Sequence, residues 1–168
     1  MLLSTACSRG EPDESSRTTQ PSTPATTTSL GPSAAAEKEA LTAYRGMWDA
    51  FVDAAKVSDP DAPDVRRYAS DQALRLIVSS LYTNREQKKI TKGSLALSPK
   101  VTQFKPEQAP TEAVVLDCVD STQWLEYKVS GGLWDDVPGG KHRTTATVKL
   151  SGGSWKVSSF LLEESGTC

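Results

Sequence analysis

Hydrophobic residues change their spacing along this chain once, near Gly93. Before that point Leu41, Tyr44, Trp48, Phe51 or Val52, and Ala55 recur at steps of three and four. This spacing predicts a helix from near residue 33 to about residue 56 with one apolar, heavily aromatic face. Pro60 and Pro63 end it, because proline is not accommodated inside a helix. A short second helix is expected next, with Val65, Tyr68 and Ala69 turned inward, and Asp71 stands where a third would take its N-cap. In that third helix Ala73, Leu74, Ile77, Val78 and Leu81 keep the helical step, and polar residues from Thr83 to Lys89 close it.

After Gly93 the pattern alternates, and strands are predicted over residues 95–104, 112–120, 123–129, 143–151 and 154–163. Gly152 and Gly153 join the last two as a tight hairpin, since glycine accepts the positive φ angles such turns need. Pro99 interrupts the first strand, which calls for a bulge or an edge position there. The expected fold class is therefore α+β. About three N-terminal helices pack on one face of a curved, cone-like antiparallel sheet of about five strands, preceded by a disordered tail.

The tail follows from composition. Residues 8–36 are dominated by Ser, Thr and Pro, with Leu30 the single large aliphatic residue and no aromatic. Such a stretch buries too little apolar area to offset the entropy of ordering it. As a flexible coil it spans on the order of 30 Å, enough to hold a domain away from a surface. Ahead of it, Met1 to Cys7 reads Met-Leu-Leu-Ser-Thr-Ala-Cys. This resembles the end of a bacterial lipoprotein signal peptide, in which a small residue precedes the cysteine that receives the lipid. Leu3 stands one place further from the cysteine than the pattern prefers, and the charged and long apolar parts of a signal are missing. Two readings stay open: a true start roughly 15–25 residues upstream, or an incidental Cys7. The first also accounts for the tether that follows. The expected organisation is then residues 1–7 as the remnant of a signal, 8–36 as a tether and 37–168 as one domain.

The chain has three cysteines, and Cys118 and Cys168 both fall in the domain. In an exported protein two such cysteines are expected to pair. A redox pair would want a CxxC spacing and a nearby histidine, and the spacing is absent. The net charge of −2, with acids and bases interspersed, leaves no basic stripe for nucleic acid. No apolar run reaches the length of a membrane span.

Candidate chemistry is sparse. His142 is the only histidine, so a triad or a zinc site would have to use it; it reads as a loop anchor or as a residue at a pocket mouth. Asp117 shares a strand face with Val115 and Val119, opposite Cys118. Facing inward it could serve as a general base with Tyr127 or His142; facing outward it is a solvated or ion-paired residue. The segment Gly131 to Gly140, with Trp134, Asp135 and Asp136 between two Gly-Gly pairs, lacks the Lys-Ser/Thr of a phosphate loop and the acid spacing of a calcium loop. It reads either as a flap contacting a ligand through Trp134 or as a long loop whose Trp packs back on the sheet. Tyr44, Trp48 and Trp134 are the candidate ligand-contacting residues. No cofactor and no metal is expected.

Helices followed by about five antiparallel strands resemble the nuclear-transport-factor-2-like cone folds. Ala43-Tyr44-Arg45-Gly46-Met47-Trp48, Arg67-Tyr68-Ala69-Ser70, Asp117-Cys118-Val119-Asp120, residues 139–148 and the terminal Gly166-Thr167-Cys168 are similar to a group of uncharacterised actinobacterial lipoproteins. That resemblance implies fold and address but no activity, since cone folds host isomerases, hydrolases and plain binding modules alike. The expected function is an exported cell-envelope lipoprotein on the outer face of the cell membrane, held by a lipid on Cys7. Its domain would be non-enzymatic and bind a small ligand, a cell-wall component or a protein. The alternative is a cone-fold enzyme with Asp117 as base.

Overall fold

The computed structural model describes residues 32–168; Cys7 and most of the expected tether lie outside the described residues. Helix α1 (Pro32–Ala55) is followed by α2 (Pro63–Tyr68) and α3 (Asp71–Glu86). Six strands come next: β1 (Lys89–Gly93), β2 (Lys100–Lys105), β3 (Glu112–Asp120), β4 (Trp124–Lys128), β5 (Lys141–Ser151) and β6 (Ser154–Leu162). The α+β class and the order of helices then antiparallel strands hold. Residues 32–36, counted with the tether, are the first turn of α1. Ala34 to Ala36 are strong helix formers, and Pro32 suits a helix start because its missing N–H is not needed there.

One expectation about the sheet is corrected. In place of a single curved sheet of five strands there are two sheets, one of order β2-β3-β5-β6 and one pairing β1 with β4. The extra strand, Lys-Ile-Thr-Lys-Gly, holds a single large apolar residue, so its alternation is hidden in the polar tail of α3. Its pairing partner supplies the apolar side chains: Trp124, Leu125 and Tyr127 stand opposite Gly93, Lys92 and Ile90. The strand predicted over 95–104 begins only after Pro99 and lies at the edge of the larger sheet, with a register shift between Val101 and Gln103. Gly152 (φ 59°) and Gly153 (φ 79°) make the predicted two-residue turn between β5 and β6.

The core lies between the helices and the sheets. From α1, Ala40, Tyr44, Met47, Trp48, Phe51 and Ala55 are buried, against Val115, Val119, Ala146, Val148 and Val157 from the large sheet. Burying each large side chain among them is worth about 1.5–3 kcal/mol. Gly46 sets the distance between α1 and α2: a Cβ there would fall 2.7 Å from the Tyr68 ring. The third helix is capped by Ser70 rather than Asp71, whose φ of 46° begins the helix. Ser70 is extended and donates its Oγ–H to Asp71 Oδ2 at 3.0 Å, so the hydroxyl is not turned to the helix amides. Gln72 then locks α3 onto β6. Its Nε2 donates to the Phe160 carbonyl (3.2 Å) and its Oε1 accepts from the Phe160 amide (3.0 Å), standing in for a neighbouring strand. On the other side, Ser58 after α1 donates to the Lys89 carbonyl at 2.6 Å and holds β1 to the end of α1.

Candidate functional site

These two ties leave a cleft where α1 and α3 meet β4 and the end of β6. Its apolar half has a volume of about 330 Å³. Trp48 and Phe51 of α1, Leu76 and Ile77 of α3, Trp124 of β4, and Phe160 and Leu162 of β6 wall it. Four of these rings form a chain: Trp48–Phe51 at 6.2 Å, Trp48–Phe160 at 5.4 Å and Phe51–Trp124 at 5.1 Å between centroids. Such tilted and edge-on contacts hold aromatic rings in fixed orientations.

A second, polar half of about 290 Å³ shares Thr91, Trp124 and Glu126 with the first. It runs on beneath Asp135, Val137, Pro138 and Gly139 to Ser121. Alternation along β4 puts Trp124 and Glu126 on the cleft face and Leu125 and Tyr127 on the other. Asn84 lies on the inner stripe of α3 after Ala73, Ile77 and Leu81, and is 8% exposed; Thr91 is 3% exposed. Among the described residues, neither the Asn84 amide nor the Thr91 hydroxyl enters a side-chain hydrogen bond, and both line the cleft. Unpaired by side-chain bonds and open to the cleft, both keep bonding capacity for a molecule that enters it.

The connection from β4 to β5 roofs the polar half. Its first part turns back along β4: the Lys128 amide donates to the Gly132 carbonyl, Tyr127 bridges Leu133, and the Trp134 amide donates to the Glu126 carbonyl at 2.9 Å. The Trp134 ring consequently covers Lys89, whose Nζ lies 5.4 Å from its centroid and 2.9 Å from Glu126 Oε2. The far end is pinned at Gly140, whose amide donates to Ser121 Oγ (3.0 Å). His142 secures the same corner, Nδ1–H donating to the Glu163 carbonyl (2.9 Å) with Nε2 3.3 Å from Ser121 Oγ. Asp120 shapes the turn into β4. It accepts from the Thr122 hydroxyl and amide, which hold its carboxyl below the usual carboxylate range, the hydroxyl most strongly.

Of the expected ligand-contacting residues, Trp48 is in the cleft wall. Tyr44 stands behind it, edge-on at 6.3 Å and fully buried, and Trp134 sits on Lys89. Asp117 does face inward, 4% exposed, but its Oδ1 accepts the amides of Ser98 (2.7 Å) and Cys118 (2.8 Å), and it lines neither half of the cleft. Tyr127 lies on the opposite face of β4 under Lys92, 5.0 Å from Nζ to ring centre. The structure thus does not gather Asp117, Tyr127 and His142 around one opening. Cys118 and Cys168 form a disulfide, with Cα atoms 6.0 Å apart. Among the described residues no group of three or more His, Cys, Asp or Glu is placed to hold a metal, and no helix is long and apolar enough to cross a membrane.

Tyr44 Oη and Asp117 Oδ2 behind the cleft, and Trp48 Nε1 and Trp124 Nε1 in its wall, are buried without a hydrogen-bond partner. Burial pushes the Tyr44 phenol well above its ordinary pKa of 10, and the charge of Asp117 adds to the effect. The folded state therefore holds this proton more tightly than the unfolded chain. The resulting stability is full below pH 10 and falls as pH rises beyond it, by about 1.4 kcal/mol per pH unit for one group. Urea titrations between pH 9 and 11.5 will show this slope in the native sequence and a shallower one in Tyr44→Phe. Equal slopes would mean the phenol ionises freely in the fold.

No family model matches the chain, and no curated protein matches it. Solved structures do. The intermembrane space region of the chloroplast protein ARC6 is similar with a TM-score of 0.55 and 14% identity, over 77% of this chain and 97% of that one. Two proteins of unknown function from Nostoc punctiforme, described as having a cystatin-like fold, follow at TM-scores of 0.46 and 0.44. They have 11% and 10% identity, over 76% and 79% of this chain and 92% and 79% of theirs. At such identities the likeness is one of fold: the chain shares a mixed helix-and-sheet architecture with the ARC6 region.

Proposed function

We propose that the protein is an exported cell-envelope lipoprotein, anchored through a lipid on Cys7 and carrying a non-enzymatic domain that holds a small ligand in the cleft between α1, α3, β4 and β6. One observation carries the binding part of this reading: an aromatic-walled cavity lined by Asn84 and Thr91, whose side chains make no hydrogen bond among the described residues, and walled by Trp48 and Trp124, whose buried Nε1 atoms have no partner. Mostly apolar walls with a few convergent polar groups are the usual composition of a small-molecule site, and about 330 Å³ is within the usual size range. The Cys118–Cys168 bond agrees with an oxidising compartment outside the cytoplasm. The lipobox-like run before Cys7, the Ser/Thr/Pro-rich tract after it, and the resemblances to actinobacterial lipoproteins and to nuclear-transport-factor-2-like cones support the address and the cone.

Two measurements test the two parts. Mass spectrometry of the protein recovered from its native membranes will find Cys7 as the N-terminal residue with a diacylglyceryl adduct; an unmodified Cys7 in the soluble fraction overturns the anchor. The neutral fluorescent probe N-phenyl-1-naphthylamine will bind the domain saturably at one site, and Leu76→Trp, a cavity-filling change at a residue 45% exposed, will weaken it at least ten-fold. Binding unaffected by that change, or no saturable binding, overturns the ligand site.

A further inference from the structure

The two halves of the cleft differ in chemistry, and the difference specifies a class of ligand. From the charges along the lining we infer that the cleft takes a small cationic amphiphile, an ammonium group on a short alkyl or aryl body, and discriminates against carboxylates of the same shape. This deepens the reading of the cleft as a ligand site and rests on it.

The apolar half offers an apolar body the uncharged walls of Trp48, Phe51, Ile77 and Phe160, with Ser80, Asn84 and Thr91 as its neutral polar groups. Where it opens into the polar half, the lining carries two carboxylates, Glu126 and Asp135, and no Lys, Arg or His. Lys89, beside the lining, is occupied: its Nζ bonds Glu126 Oε2 and lies over the Trp134 ring, with its side chain only 13% exposed. Glu126 keeps Oε1 unbonded within the described residues, at the boundary beside the Trp124 ring. Aromatic faces together with carboxylates recognise ammonium groups through cation–π attraction and charge. An anionic head in the same place would meet the Asp135 carboxylate and that of Glu126, the latter partly offset by Lys89, and only neutral donors, the Asn84 amide, the Ser80 and Thr91 hydroxyls and the Trp124 indole N–H. Those same groups can bond a neutral or hydroxylated part of the ligand beside its ammonium.

The test uses the full chain and three probes with an eight-carbon chain, below their micellar concentrations: octyltrimethylammonium, octanol and octanoate (whose eighth carbon is the carboxylate), each titrated calorimetrically at pH 7.5. The ammonium is expected to bind at least ten-fold more tightly than octanoate, with octanol between them. Asp135→Asn, which frees no cation, and Glu126→Gln should each narrow the ammonium-to-octanoate ratio at least three-fold. Melting temperature and circular dichroism establish that the variants fold. Equal affinity for all three probes, or tighter binding of octanoate, overturns the ligand class while leaving the cleft a binding site. A ratio unmoved by either variant overturns the assignment to these carboxylates. Failure of all three probes, and of the neutral naphthylamine, overturns the site itself.

Discussion

Replacing Cys118 and Cys168 together with alanine will cost the domain about 4 kcal/mol, the chain-entropy value for a cross-link spanning 50 residues. In a domain of this size that lowers the melting temperature on the order of 10–20 °C. The loss will not be spread evenly. Beyond the end of β6 the chain keeps pairing with β5: the Glu163 amide donates to the Arg143 carbonyl (2.9 Å), the Gly166 amide to Lys141 (2.8 Å), and Thr167 Oγ1 accepts from the Arg143 amide (2.8 Å). These bonds have little apolar burial behind them, so the disulfide is what keeps the last residues in place. Because His142 reaches Glu163 in that same segment and Ser121 at the loop corner, its release loosens the roof of the polar half as well. Hydrogen exchange should therefore quicken at Lys141–Arg143 and Gly140 before it does in β3. Melting curves that coincide with and without a reducing agent, with both thiols titrated as free, would contradict this account.

Side chains that face the core announce themselves in the sequence because burial imposes a period. The step of α1 from Tyr44 to Trp48 to Phe51, the alternation of Val115, Asp117 and Val119 in β3, and the Gly152-Gly153 turn are all legible for that reason. The bounds predicted for β3 are those observed. Strand β1 is not legible, because its place in a sheet is decided by pairing with β4 some 35 residues away and not by its own composition. Splitting the sheet in two is equally non-local. The cleft is harder still, since five elements, from Trp48 in α1 to Leu162 in β6, each contribute one to four side chains to it. One clue was present: Asn84 continues a stripe of Ala73, Ile77 and Leu81, and an amide on an otherwise apolar face needs a reason. Trp134 stood out by its glycine neighbours, yet the backbone bonds of Leu133 and Trp134 to β4 direct its ring to Lys89.

Asp117→Ala will destabilise the protein by about 2–3 kcal/mol, the cost of removing a charged acceptor from two part-buried backbone hydrogen bonds. The carboxylate stands on β3 and ties to it the connector from β1 to β2, through the Ser98 amide; its second bond, to the Cys118 amide, lies within β3 and fixes the carboxyl's orientation. Ser98 precedes Pro99, which has no amide to offer, so this bond and the Ala96–Asp120 bridge hold the connector against the sheet. Asp117→Asn keeps an acceptor oxygen at the Oδ1 position and puts an amide NH₂ beside Tyr44 Oη, supplying a donor where the native carboxylate Oδ2 lacks one. It should stay within about 1 kcal/mol of the native protein. The pair of variants separates a tie from a general base: a base is lost equally in Asn and Ala, whereas a tie is lost only in Ala. Urea unfolding of both, alongside binding of the neutral naphthylamine, reads the difference directly. The predicted pattern is a stable Asn variant that binds normally and an Ala variant that unfolds at clearly lower urea. Matching midpoints for the two would remove Asp117 from the framework of the fold and return it to the list of residues whose carboxylate awaits a substrate.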